Sequence, residues 1–471
     1  MANSQQSTDV VVLGAGVAGY VCAIRLAQLG KKVTVIDRAE VGGVCLNRGC
    51  IPSKALIYAG SLYERASHSK EMGIEVTGAR LNMPKLIDWK NSVVKKLTNG
   101  VTGLLKANGC PFIAGDARFT GPKSLDVKTS SGTTSLSFNQ CVIAAGSRPF
   151  QLPGFEVDQK KILDSTGALD LREIPKTLLC IGGGYIGLEL GTFYAKAGSK
   201  VTVVEAMPNL LGGVDPALTN VVAKRLEKLG VQVMTETKVK SSKANKKGVD
   251  VVVSQGGKDK TLSFDAVLVT IGRVPNSDSL ALEKTGVKTD AKGFIPVDAQ
   301  RRTSVPHLYA IGDIAGQPLL AHKGSKEGLV AAEAIAGKKT AYDVVAMPAV
   351  IFTDPEIATV GLSESEARAK GLDIRVGLFP FTANGRALSM SEPDGMVKMI
   401  GDAKTGRLLG VHIVGPEASN LIAEAALALE MGATVEDLAL TVHAHPTLPE
   451  TLMEAAEATL GHAIHIFQRH R

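Results

Sequence analysis

The 471-residue chain is 45% hydrophobic and 21% charged with a formal net charge of +7, ordinary globular usage but too long for one core at roughly 100–200 residues per domain. Its Lys and Arg are interspersed with Asp and Glu, and aromatics are only 4%, which argues against nucleic acid, whose binders concentrate basic and stacking residues. The polar start MANSQQSTDV lacks signal-peptide regions and no apolar run reaches the roughly 18 residues of a membrane span, so a cytoplasmic protein in a reducing compartment, without a membrane partner, is expected.

The first element, residues 10–37, reads VVVLGAGVAGYVCAIRLAQLGKKVTVID. It is an apolar strand, a glycine turn, an amphipathic helix ending at Gly30 and a second strand ending in a carboxylate. Residues 178–205, LLCIGGGYIGLELGTFYAKAGSKVTVVE, repeat it, with Gly198 ending the helix. Gly14 to Asp37 and Gly182 to Glu205 are both 23 residues apart. Gly14 and Gly182 make the tight turn, Gly16 and Gly184 let backbone approach a pyrophosphate, and Gly19 and Gly187 let the helix pack on its sheet. Tyr185 and Ile186 fall inside the second fingerprint and are candidate cofactor residues with it. Asp37 and Glu205 suit a ribose diol. One GxGxxG is a weak signal, but two copies sharing strand, helix and acidic end predict two Rossmann-like folds and two dinucleotides. A carboxylate at Glu205 disfavours a 2′-phosphate, which points to NAD rather than NADP. The first fold leads directly into two cysteines, and FAD is its natural ligand.

Those cysteines lie in GGVCLNRGCIPSKAL, residues 42–56. Zinc needs four Cys or His ligands, and residues 30–67 contain no histidine and no third cysteine, so no metal is expected. A structural disulfide over so short a loop would add little stability. A redox pair of Cys45 and Cys50 fits better, with Gly42, Gly43 and Gly49 allowing close approach to a flat cofactor and Arg48 favouring a thiolate. Cys22, Cys110, Cys141 and Cys180 read as structural residues.

Residues 51–110 look mainly helical. The strand CVIAAGSRP (141–149) ends at Gly146 and Pro149, where the chain leaves the first fold, and AVLVTIGRVPN (266–276) ends the second in the same way. LYAIGDIAG (308–316) reads as a strand ending at Asp313, followed by an alanine-rich helix. From about residue 346 strands (PAVIFT, VGLFPF, GMVKMI, GVHIVG) mix with alanine-rich helices and no nucleotide fingerprint. The expected architecture is α/β: an FAD domain with the redox pair (1–149), an NAD domain (150–275), a central domain completing the FAD site (276–345) and a C-terminal α+β dimerisation domain (346–471).

With VVLGAGVAGY, GGVCLNRGCIPSKAL, AAGSRP, GGGYIGLELG, TIGRVPN, YAIGDIAG, FTDPEIATVG and HAHPTLPE on view, the chain resembles the flavin-dependent pyridine nucleotide–disulfide oxidoreductases over essentially its whole length. The resemblance implies that Cys45 exchanges disulfides with substrate and Cys50 faces the flavin. It pairs Lys54, near the flavin ring, with Glu189, and places Asp313, Ala321 and Ala117 against FAD. Gly272 and Arg273 belong to a loop closing on NAD, with Val239 beside its adenine. His445 and Glu450 correspond to the acid–base pair, imidazole titrating near neutrality, and His443 is structural. The resemblance also implies a homodimer that oxidises dihydrolipoamide on lipoyl domains of 2-oxo acid dehydrogenase complexes or on the glycine-cleavage carrier protein. Glutathione and mercuric reductases share the scaffold; Glu205 followed by Ala206 and Met207 argues against the first, and a C-terminus without a cysteine pair against the second. Val44, Arg48 and Pro449 stand where threonine, an aliphatic residue and serine are common, and none removes a catalytic group.

Overall fold

The two repeated segments become the centres of two parallel sheets in this computed structural model, which describes residues 6–468. The outermost residues of both termini, 1–5 and 469–471, to which the readings of a missing leader and a missing cysteine pair partly refer, lie outside the described residues. In the first sheet Gln6–Leu13 pairs with Val33–Asp37 and Gly132–Ile143, with Phe112–Ala114 and Leu308–Ala310 outside them. In the second, Thr177–Ile181 pairs with Lys200–Val204 and Ala266–Val269, with Gln232–Met234 and Ile162–Leu163 outside. Val10, Val11 and Val12, like Leu178, Leu179 and Cys180, are fully buried. That is what a parallel strand covered on both faces requires, and why these runs are continuously apolar.

Each dinucleotide domain carries an antiparallel meander: Asp116–Gly121 and Ser124–Thr129 extend the first sheet, and Thr237–Ala244, Val249–Gln255 and Lys258–Phe264 form a separate three-stranded sheet in the second domain. The helical stretch after the cysteines is Cys50–Ser67 and Met83–Ala107. The third unit is an antiparallel sheet ordered Ala349–Ile351, Glu356–Gly361, Leu408–Gly415, Met396–Asp402 and Ile374–Pro380, covered by Ala418–Glu430 and Glu450–Leu460.

Three details differ from the sequence reading. The stretches 141–149 and 266–276 are each broken, at Gly146 and Gly272, whose φ values of 67° and 128° turn the chain. Ser147–Pro149 and Arg273–Pro275 then pair with each other, so the exits of the two folds form one antiparallel ribbon. The strand at 308 ends at Ala310; Asp313 lies in the short turn Gly312–Ala315, because Gly312 is left-handed at φ 74°. Leu308–Ala310 completes the first sheet, and the helix Ala321–Ile335 packs on Val17–Gln28, Gly324 and Gly328 admitting Ala18 and Cys22. The strand Glu356–Gly361, central to the third sheet, lies inside a motif from which no strand was read. No helix among the described residues is long and apolar enough to cross a membrane.

Candidate active site

The cysteine segment is stitched to the first glycine turn. Gly42 donates its N–H to Ala15 O at 2.8 Å. Gly43 is left-handed, φ 56°, and a Cβ on it would lie 2.6 Å from the Gly16 Cα. Only glycine meets both demands. Cys45 sits in the short helix Gly43–Arg48 and Cys50 begins the helix Cys50–Ser67, with the break between them at Gly49. Both are free thiols, Cys45 half-buried and Cys50 exposed, and they hydrogen-bond to each other. That bond, then burial, holds the Cys45 thiol far above its ordinary value. The same bond is the main force lowering Cys50 to about 7; burial opposes it and the Lys54 ammonium assists. The pair thus divides into one thiol and one ready thiolate.

Lys54 Nζ lies 2.8 Å from Glu189 Oε2, joining the redox helix to the second fingerprint helix Tyr185–Lys196. The Glu189 side chain is 5% exposed, and its other oxygen accepts the Phe352 N–H at 2.9 Å. Arg48 is engaged elsewhere: it pairs with Glu40 at 2.6 Å, and the cation that lowers Cys50 is Lys54.

The two fingerprints match atom for atom at their carboxylates. Asp37 accepts the N–H groups of Ala15 at 2.7 Å and Ala39 at 2.9 Å. Glu205 accepts those of Gly183 at 2.7 Å and Met207 at 2.8 Å. A carboxylate has about four acceptor positions, which leaves about two for a diol. Gly14 and Gly182 turn at φ 115° and 103° with the opposing backbone of Ala144 and Thr270 inside contact distance of any Cβ. Gly19 and Gly187 pack against the carbonyls of Gly14 and Gly182. The helices Val17–Gln28 and Tyr185–Lys196 both start without a side-chain cap, so their first N–H groups are available to phosphate. A cleft of about 770 Å³ lined by Gly14, Asp37, Ala117 and Ala145 runs from the first turn to the meander. These donors and this cleft fit a dinucleotide in the first fold, and the matching turn fits one in the second.

The far side of the first site is held by a polar relay. Asp313 Oδ2 accepts from the Ser147 hydroxyl at 2.5 Å, and Ser147 in turn accepts from Arg273 Nε at 2.8 Å. Arg273, expected in a loop over NAD, therefore links the second fold to the Asp313 turn of the first. Behind that turn Glu327 is fully buried and accepts from Gly312 N–H at 2.7 Å and Arg301 at 2.9 Å, with Lys323 at 3.2 Å. Ala321 opens the helix that carries Lys323 and Glu327. Tyr185 is partly exposed, and burial is the main cause raising its hydroxyl, with Arg273, Asp313, Glu189 and Cys50 all close enough to act on it. Val239 lies on the strand Thr237–Ala244, opposite Val253, and Ile186 is half-buried. Ser147, Glu327 and Phe352 were not singled out from sequence. Two charges four residues apart in an alanine-rich helix were the available sign for Lys323 and Glu327.

His445 stands in the third unit. Its Nδ1 is 2.8 Å from Glu450 Oε1, its side chain is 80% exposed, and among the described residues its Nε2 has no hydrogen-bond partner. Burial pushes the Glu450 carboxyl up, but the Thr447 N–H at 2.6 Å and His445 outweigh it and hold the group below its ordinary value. Glu450 thus stays ionised and fixes the ring with Nε2 outward. His443 is held by Glu424 and Thr441 O, a structural arrangement.

A dithiol built onto one dinucleotide turn, facing a second dinucleotide fold, defines an oxidoreductase that passes electrons between sulfur and a nucleotide cofactor. The chain belongs to the pyridine nucleotide-disulphide oxidoreductase family, whose model matches residues 8–328, while the family's dimerisation domain matches residues 347–456. It is 51% identical over 462 residues to a dihydrolipoyl dehydrogenase of Geobacillus stearothermophilus and 49% identical over 460 residues to that of Bacillus subtilis, with 98% of each chain covered. Among solved structures it is similar to LpdA from Mycobacterium tuberculosis, with a TM-score of 0.89 and 28% identity, covering 96% of this chain and 99% of that one.

Proposed function

We propose that this protein oxidises dihydrolipoamide to lipoamide, the electrons passing through Cys45 and Cys50 and an FAD in the first fold to NAD in the second. The observation that carries the reading is the Cys45–Cys50 dithiol stitched to the first fingerprint turn; the dihydrolipoyl dehydrogenases that match almost the whole chain supply the substrate. With the pair oxidised, His445 takes a proton from one substrate thiol, whose thiolate attacks Cys45 and expels Cys50 as thiolate. Cys50 is the better leaving sulfur, because the Lys54 ammonium favours its thiolate and a disulfide breaks faster toward the thiol of lower pKa. The second substrate thiol then attacks the mixed disulfide at the substrate sulfur, closing the lipoyl ring and releasing Cys45 as thiol. Bound FAD supplies the exchange between a thiolate, which gives an electron pair through sulfur, and nicotinamide, which takes hydride. Gly14, Gly16, Gly19, Gly43, Asp37, Lys54, Ala117, Gly146, Asp313 and Ala321 hold FAD; Gly182, Gly184, Gly187, Tyr185, Ile186, Glu189, Glu205, Val239 and Gly272 form the NAD side, and Arg273 joins the two sides through Ser147.

The molecule works as a homodimer in which the partner's His445 serves the Cys45–Cys50 pair of this chain, and its clients are lipoyl domains in the cytoplasm. The exposed Nε2 of His445 supports a target outside its own chain. His445→Gln should lower lipoamide turnover by about 10²–10⁴-fold while NADH still bleaches the flavin. Mixed dimers of Cys45→Ser and His445→Gln subunits should recover about half of wild-type turnover, since one site then carries both lesions and the other none. A flavin-loaded but dead hybrid overturns the shared site. Turnover of glutathione disulfide with NADPH in place of lipoamide with NAD overturns the substrate reading.

A further inference from the structure

We propose that Phe352, a residue of the third unit, is a positioning residue that fixes the Lys54–Glu189 pair beside Cys50. Three contacts on one short segment carry this. The Phe352 N–H donates to Glu189 Oε1 at 2.9 Å, leaving Oε2 for Lys54 at 2.8 Å. The Phe352 ring lies under the ammonium, with Lys54 Nζ 4.3 Å from its centroid, where the negative face of the ring attracts a cation. Two residues on, Asp354 accepts from Lys196 at 2.9 Å and Arg225 at 2.8 Å, and Arg225 also binds Glu64 at 2.6 Å.

The helices Cys50–Ser67 and Tyr185–Lys196 are therefore bridged at both ends. Lys54 meets Glu189 near the thiols, Lys196 donates to the Ser61 hydroxyl at 3.0 Å at the other end, and the segment 352–354 spans both bridges. An extended lysine held only by its carboxylate keeps considerable side-chain freedom. The ring beneath it and the backbone N–H behind its partner remove that freedom. Lys54 is one of the forces lowering Cys50, after the Cys45 hydrogen bond, so what positions Lys54 acts on the thiol. The contact also lets a residue outside both dinucleotide folds act on the redox centre.

This inference rests on Cys50 being the thiolate that faces the flavin, as in the proposed function, and its test needs no lipoyl substrate. In the reduced, FAD-loaded enzyme the thiolate–flavin absorbance is followed against pH, and iodoacetamide labelling of each cysteine is mapped by mass at each pH. Phe352→Leu keeps the backbone N–H but removes the ring; the midpoint should rise by about half a pH unit, the scale of a partly exposed cation–π contact. Phe352→Tyr should restore it. If Phe352→Leu does not hold flavin, Phe352→Met, closer to an unbranched filler, is read in the same way. A wild-type midpoint in a folded, flavin-loaded variant without the ring overturns the proposal, as does an equal shift in Phe352→Tyr. Failure of lipoamide turnover with an intact thiol profile would instead strike the proposed substrate.

Discussion

The two dinucleotide folds share a sequence pattern, a strand order and even the acceptor geometry of Asp37 and Glu205, yet they are finished differently. The fifth strand of the first sheet, Leu308–Ala310, comes from far downstream, and that of the second, Ile162–Leu163, from just upstream. The first turn is walled in: Gly16 is bridged to Gly42 of the redox segment with Gly43 packed against it, and the Asp313 turn is held by Ser147 and Glu327. The second is open at the corresponding place, where a Cβ on Gly184 would meet nothing within 4 Å. The same fingerprint thus builds an enclosed turn beside the redox segment and an open one in the second fold. Enclosure, not the motif, makes the difference.

The contrast breaks most visibly at the glycines. Gly43→Ala should abolish flavin retention, because its Cβ would lie 2.6 Å from Gly16 at a positive φ, a combination of strain and overpacking worth about 1–3 kcal/mol or more. Gly184→Ala should fold, stay yellow and raise the KM for NADH, its new methyl occupying the pyrophosphate's approach. Flavin absorbance per chain and steady-state kinetics separate the two, and equal flavin loss in both would erase the distinction.

The carboxylates give the next effect. Glu205→Ala unties the Gly183 and Met207 N–H groups and should weaken NADH binding about tenfold, with flavin content unchanged; one uncompensated hydrogen bond costs about 1–3 kcal/mol. Asp37→Ala should do the reverse, loosening flavin while any flavin-loaded fraction keeps its NADH affinity. Titration of the flavin from each variant against added FAD checks it.

The smallest effect concerns the pH at which the reduced centre becomes a thiolate. Cys50 is lowered from 9.0 to about 7, chiefly by Cys45, so thiolate accumulates as pH rises through about 7 and is lost below it. Cys45→Ala should move that midpoint up, toward the ordinary thiol value of 9.0. Arg48→Val should leave it in place, since Arg48 is bound to Glu40 at the surface. A shift on removing Arg48 would restore it as a tuner of the thiols.

Much of the fold was legible because its signals are local. A strand, a glycine turn and a carboxylate 23 residues on are contiguous, and buried parallel strands are apolar throughout. The broken strands at Gly146 and Gly272, and the strand Glu356–Gly361, were less legible: a glycine in an apolar run reads alike as strand or turn until its φ is known. The candidate site was legible where residues cluster in a motif, as with Cys45 and Cys50 or His445 and Glu450. It was silent where a residue acts through its backbone, as Phe352 does on Glu189, or through one hydroxyl, as Ser147 does on Asp313.

By itself the sequence determined that there are two dinucleotide folds and which carboxylates and glycines build them, because steric demands on a turn and the burial of a strand are met within a few tens of residues. It also determined that two cysteines sit at a helix start beside the first of these folds. The tertiary structure alone decided which groups stand behind the Lys54–Glu189 pair and the Asp313 turn. It alone joined the Phe352 N–H to Glu189 across 163 residues, and turned Arg273 from its own fold toward Ser147. Those outcomes depend on distances between charges and dipoles brought together from separate domains, and electrostatic energy falls with a separation that chain position does not encode.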